Sequence, residues 1–263
     1  IGSVQGFLAK VSGTLHNLKN LILGSGENNI IAENEIKNEG FITSEESLKL
    51  DSGQIKNLGQ IASGNQLTIT SDNNIENKDG ALIFANKDMS LNANKDILNE
   101  KSEIYSGSNI VITANENVVN KIGDIEGQND ITITASNIEN IGEVIGSHEI
   151  KYVLGKALNL DTSKIDKDPI RKKSNEIFNK VYDEVVKEGR TEWENDVHLY
   201  GGEKVISNYT SNLSYISAGK NLTLNAKNNI LNKEGNILVE PPPLKMLIRA
   251  FPLGNDLKAF LLL

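Results

Sequence analysis

The residues best suited to chemistry in this 263-residue chain are His198 and the acids shortly before it, Glu192, Glu194 and Asp196. An imidazole beside carboxylates could ligate a divalent metal or share general acid–base work. Residues two apart share a face only on a strand, and no third ligand or base stands elsewhere at a suitable spacing. The expected role of this group is therefore a solvated acidic face. His16 and His148 stand apart from it. Cysteine is absent, which removes thiolate zinc sites, disulfides and a cysteine nucleophile. Phosphate-binding and dinucleotide fingerprints are missing, as is the glycine-rich calcium nonapeptide. Asp and Glu scatter without the repeated lateral pair that a sugar-cleaving β-helix would carry. No catalytic, cofactor-binding or metal residue is expected. Three glycosylation sequons begin at Asn208, Asn212 and Asn221, and in a chain this rich in Asn, Ser and Thr they arise readily by chance.

The pattern with real periodicity is asparagine. Asn17, Asn38, Asn57, Asn77, Asn99, Asn120 and Asn140 follow one another at 19 to 22 positions, and Asn232 repeats the context later. Two positions before each stands an aliphatic residue: Leu15, Ile36, Ile55, Ile75, Ile97, Val118, Ile138 and Ile230. Glycine follows most of them within three residues, at Gly40, Gly59, Gly80, Gly123, Gly142 and Gly235. A fixed period in this range is the signature of a solenoid.

Between the asparagines, polar and apolar residues alternate with the strand period. The clearest inward pairs are Leu48/Leu50, Leu67/Ile69, Met89/Leu91, Ile110/Ile112, Ile131/Ile133 and Leu222/Leu224. A third apolar position follows the glycine at Ile42, Ile61, Ile125, Val144 and Ile237, with Ile104 and Ile216 holding it elsewhere. Each repeat thus offers three short strands separated by Ser-Gly, Asn-Lys and Ser-Asp-Asn turn residues. Strands this short bury a core only when coils stack. The expected fold is all-β: a right-handed parallel β-helix with coils of about 20 residues, plus a helix-containing insert. The asparagines are expected at corners, in left-handed backbone, with their amides hydrogen-bonded along the axis as a ladder.

Composition agrees. Aromatic residues are 5% of the chain against 38% hydrophobic overall, suited to a narrow interior of Ile, Leu and Val. A net charge of −8 disfavours nucleic acid and anionic membrane as partners. No 18-residue apolar run and no signal peptide are visible, and the chain is expected to be an internal piece of a longer polypeptide.

The rhythm divides the chain into repeats over 1–147, an insert over 148–211, resumed repeats over 212–240 and an atypical tail over 241–263. In the insert, Asp168-Pro169 opens a helix whose apolar face is Ile170, Ile177, Phe178, Val181, Tyr182, Val185 and Val186, ending at Gly189. Such an excursion either carries recognition or packs on the solenoid. The tail begins Pro241-Pro242-Pro243 and is broken by Lys245, Arg249, Asp256 and Lys258, too charged for a membrane span. It reads either as a cap or, preferably, as an edge foreign to the repeats.

Segment 214–238, SYISAGKNLTLNAKNNILNKEGNIL, resembles the haemagglutination-activity repeat of filamentous haemagglutinins and contact-dependent-inhibition exoproteins. IASGNQLTITSDNNIENKDG and IYSGSNIVITANENVVNKIG resemble the same unit, so the likeness covers roughly 10–147 and 212–240. It implies a long secreted β-helix exported from a Gram-negative cell by an outer-membrane two-partner-secretion transporter. Such proteins are displayed for adhesion or carry a C-terminal toxin, and some relatives are labelled haemolysins. The family's Asn-Pro-Asn secretion motifs and its Val-Glu-Asn-Asn toxin boundary are missing here, so neither export nor toxicity passes to this segment. The expectation is a non-enzymatic adhesive shaft contacting a host or neighbouring-cell receptor. A toxin-delivery stalk is the alternative, and a polysaccharide-active β-helix a remote third.

Overall fold

A computed structural model describes residues 2–3, 5–145, 148–152, 203–207 and 210–240, with side chains over 5–143 and 212–240. The described residues are all-β. Residues 1–144 and 211–263 group into one unit and 145–210 into another.

The first unit is a parallel β-solenoid of about 8 turns. Each coil has three sides. In the fourth coil these are Leu67–Ser71, Ile75–Lys78 and Leu82–Ala85, and in the fifth Met89–Ala93, Ile97–Glu100 and Glu103–Ser106. The strands of these coils pair in parallel with their counterparts one coil away: Leu67 opposite Met89, Ile75 opposite Ile97, Ile83 opposite Ile104. In other coils the first two sides are one bent strand, as in Asn28–Asn38, Leu48–Asn57, Ile131–Ile141 and Leu222–Lys233.

Alternation sends one residue in two inward, and like stacks on like. Leu67, Met89, Ile110 and Ile131 make one column on the first side, and Ile69, Leu91, Ile112 and Ile133 a second; none is more than 2% exposed. Leu222 and Leu224 extend both columns into the eighth coil, half-buried. The second side contributes Ile36, Ile55, Ile75, Ile97, Val118 and Ile138, and the third Ile42, Ile61, Ile83, Ile104, Ile125 and Ile216. Each buried Ile is worth roughly 2 kcal/mol of transfer free energy. Where the first side bends into the second, only small residues fit, and Ala32, Ser52, Ser71, Ala93, Ala114 and Ala135 stack there.

The corner after the asparagine departs from the sequence reading. None of the ladder asparagines has positive φ; the left-handed residues of these corners are Asp79, Lys101, Ile122 and Glu234, each two positions later, with Gly80 beside Asp79. The asparagine stays extended because its side chain must point inward. The turn behind it absorbs the reversal. Where only one residue separates Asn from Gly, the glycine serves close approach instead. A Cβ on Gly59 would lie 2.1 Å from the Gly40 carbonyl oxygen of the coil before, so the chains can meet there only without a side chain.

The third apolar series lacks one expected member and holds one that spacing did not show. Val144 is not in it: Glu143–Ile145 lies outside that sheet, and the place beside Ile125 belongs to Ile216. The chain leaves the seventh coil after Gly142, and Ser214–Ala218 closes that coil's third side. Ile83, displaced by one extra residue after Asn77, belongs to the series too.

The second unit is described only at a ribbon of His148–Tyr152 antiparallel to Glu203–Ser207. The helix expected near 170–186, and Glu192, Glu194, Asp196 and His198, lie outside the described residues, as does the tail.

Candidate functional site

The polar feature best placed by this fold is the inner ladder. Extended strands hold each asparagine at the end of the second side, and parallel pairing sets them in register. Asn17 Nδ2 donates to Asn38 Oδ1 at 2.7 Å, and Asn38 to Asn57, Asn57 to Asn77, Asn77 to Asn99 and Asn99 to Asn120 each at 2.8 Å. Asn120 donates to Asn140 at 2.9 Å, and Asn140 to Asn232 at 2.8 Å. All bonds run the same way along the axis. Asn38, Asn57, Asn77, Asn99, Asn120 and Asn140 are fully buried, a location tolerable only because the amides are satisfied. The same nitrogens also donate to corner carbonyls, as Asn99 does to Ser102 O at 3.0 Å and to Asp124 O at 3.1 Å.

The excursion leaves the ladder continuous. Asn140 and Asn232 are 92 positions apart yet bonded like neighbours. Ser214, returning to the stack, donates to the Asn120 and Gly123 carbonyl oxygens at 3.0 Å each.

Sequence reasoning missed two further ladders on the outer corners. Asn109 donates to Asp88 at 2.9 Å and Asn221 to Asp130 at 2.9 Å, while the Asp130 N–H donates to Asn109 Oδ1 at 3.1 Å. On the other corner Asn117 donates to Asp96 at 2.7 Å, Asn137 to Asn117 at 2.9 Å and Asn229 to Asn137 at 3.3 Å. The available signal was an Asn or Asp three positions before the inner asparagine, and another just before the inward pair. The hydroxyl of Ser108, with the side chain and N–H of Asn109, holds the Asp88 carboxyl below the ordinary carboxylate range.

Outward side chains give the sides different chemistry. On the first side, from the fourth coil onward, Thr68, Ser90, Val111, Thr132 and Thr223 form one column and Thr70, Asn92, Thr113, Thr134 and Asn225 another. None carries charge; in earlier coils Lys10, Lys49 and Asp51 take these places. The second side is laced with ion pairs. Lys121 Nζ meets Glu100 at 2.8 Å, and Glu39 is flanked by Lys37 and His16. Lys121 holds the Glu100 carboxyl low, and Glu100 raises the lysine in return. The third side bears a separate apolar cluster, Ala62, Leu82, Phe84 and Tyr105, whose two rings stack at 5.8 Å.

Among the described residues no group of three or more His, Asp or Glu could hold a metal ion. Compared with family models, curated proteins and solved structures, the chain matches none. The molecule's own geometry therefore carries the functional reading.

Proposed function

We propose that this chain is a structural and adhesive shaft segment of a large secreted haemagglutinin-like exoprotein, attaching a bacterial cell to another cell or a surface. The observation behind this reading is the uncharged hydroxyl- and amide-bearing strip on the first side, repeated coil after coil on a stack pinned by internal ladders. Similar shallow contacts at roughly 4.8 Å spacing bind weakly one by one and add by avidity. The chemistry is non-covalent, and stiffness is part of the mechanism, because a ladder that locks each coil to the next keeps the strip straight. In this reading a two-partner-secretion transporter exports the parent protein, and a receptor on a host or neighbouring cell meets the strip.

The test is attachment of cells to surfaces coated with the purified chain, comparing wild type with Thr113→Lys/Thr134→Lys. Both positions point outward, so circular dichroism should be unchanged while attachment falls at least fivefold. Equal attachment of both proteins would remove the strip from the mechanism. Failure of the wild type to retain any cell type above an albumin control would remove the adhesive reading altogether.

A further inference from the structure

The outer face of the third side is covered. Thr43, Ala62, Phe84, Tyr105, Glu126 and Ser217 stack as one column from the second coil to the seventh. Each points away from the inward isoleucine beside it, yet none is more than 5% exposed. Leu82, also outward, is 1% exposed, whereas Val111 on the outer face of the first side is 46% exposed. Large side chains on the outside of a sheet reach such burial only under another layer. Among the described residues the coils place nothing over this face, so a further segment of the chain does.

Residues 241–263 suit that place. They group with the coils, as the excursion does not. The chain also leaves the eighth coil on this side: Gly235–Val239 is its third-side strand, and Ser217 of the covered column donates to the Glu240 carbonyl oxygen at 3.2 Å. Phe84 lies four coils back, about 19 Å at the usual spacing of paired strands. Pro241-Pro242-Pro243 can span about 9 Å, and residues 244–263 would reach about 30 Å even if wholly helical. Leu244, Leu247, Ile248 and Phe251 have the spacing of one helix face, an apolar match for Ala62, Leu82, Phe84 and Tyr105. Charge agrees. Glu103, Asp124 and Glu126 lie on the third side in the fifth and sixth coils, and the tail brings Lys245 and Arg249 on one flank of its apolar run.

We infer that residues 244–251 turn back along the third side and seal its apolar cluster, with Lys245 and Arg249 against the acidic coils. The stacked Phe84 and Tyr105 rings are then the floor of an intramolecular contact, and the uncharged strip of the first side stays open.

The chain has no cysteine, so a single engineered thiol can carry a benzophenone photolabel in the full-length protein. From Ala250→Cys the label should crosslink, within one chain, to peptides containing Leu82–Ala85 and Glu103–Ser106. From Ser174→Cys, in the excursion, it should not reach them. Trypsin gives a second readout. Cleavage after Arg249 should be at least tenfold faster in Leu247→Ser/Phe251→Ser than in the wild type, with an unchanged circular dichroism spectrum because neither residue belongs to a coil. Third-side crosslinks from the Ser174 label in place of the Ala250 label would give the cover to the excursion, and crosslinks only between chains would give it to a second copy. Either result, no third-side product from the Ala250 label, or equal cleavage of the two proteins would overturn the proposal.

Discussion

Asn99 sits mid-ladder, accepting from Asn77 and donating to Asn120 at 2.8 Å on either side. Asn99→Ala strands both partners in a buried site, at roughly 1–3 kcal/mol for each unsatisfied group. A loss of about 3 kcal/mol is expected from urea midpoints, against about 1 kcal/mol for Asn17→Ala at the half-exposed end. Equal losses would mean that the ladder contributes little beyond helping to set the register. Asp88 belongs to the pH response. Its folded pKa lies below the ordinary value, because Ser108 and Asn109 bind the charged form. The stability it adds is therefore complete above the ordinary carboxylate pKa and lost as pH falls through the folded one. Asp88→Asn should flatten part of the fall in urea midpoint between neutral pH and pH about 3, and an unchanged acid slope would refute this. Spacing made the inner asparagines legible because each has an aliphatic residue two positions before it. The outer ladders were hidden, since Asp and Asn mix in them and both types are abundant in the turns.

The informative elements are the corners. Three sides per coil followed from alternation and turn residues. The conformation of each turn did not, because it depends on whether two, three or four residues separate Asn from the next strand. Ile122 shows the consequence. It holds φ of 51°, where a β-branched side chain is strained by about 1–2 kcal/mol. Ile122→Asn should stabilise the protein by about 1 kcal/mol, since Asn tolerates this backbone and the half-buried isoleucine loses little contact. A lower urea midpoint in the variant would show that packing outweighs strain there. The Val144 error has a related cause. Val144 stands two residues past Gly142, as Ile42, Ile61 and Ile125 stand past their glycines, and nothing local marks the point where the chain leaves the coil. Only pairing across the stack reveals that Ile216 fills the place.

For the whole solenoid, the excursion is an addition to a complete coil. Joining Gly142 directly to Ser214 gives Asn140-Ile141-Gly142-Ser214-Tyr215, the same length as the fifth coil's Asn99-Glu100-Lys101-Ser102-Glu103, with glycine at the left-handed place. A chain lacking 143–213 should keep the β spectrum of the solenoid and a urea midpoint at or above that of the parent. Collapse of the β signal would show that the excursion is required for the coils to form.

The same junction bears on the order in which the molecule assembles. Most neighbouring strands meet across about 21 positions, as Asn99 and Asn120 do, so each coil can add to the last as the chain is made. Closing the seventh coil brings together Ser214 and Gly123, 91 positions apart. Loop-closure entropy for that span is about 1.3 kcal/mol less favourable than for an ordinary coil, or nearly tenfold in rate where closure limits folding. Six coils would zip in sequence, then wait. During that pause the growing tip exposes Ile131, Ile133 and Ile138 with their backbone unpaired on one edge, and a nascent chain is most open there to proteases, chaperones or another chain of its own kind.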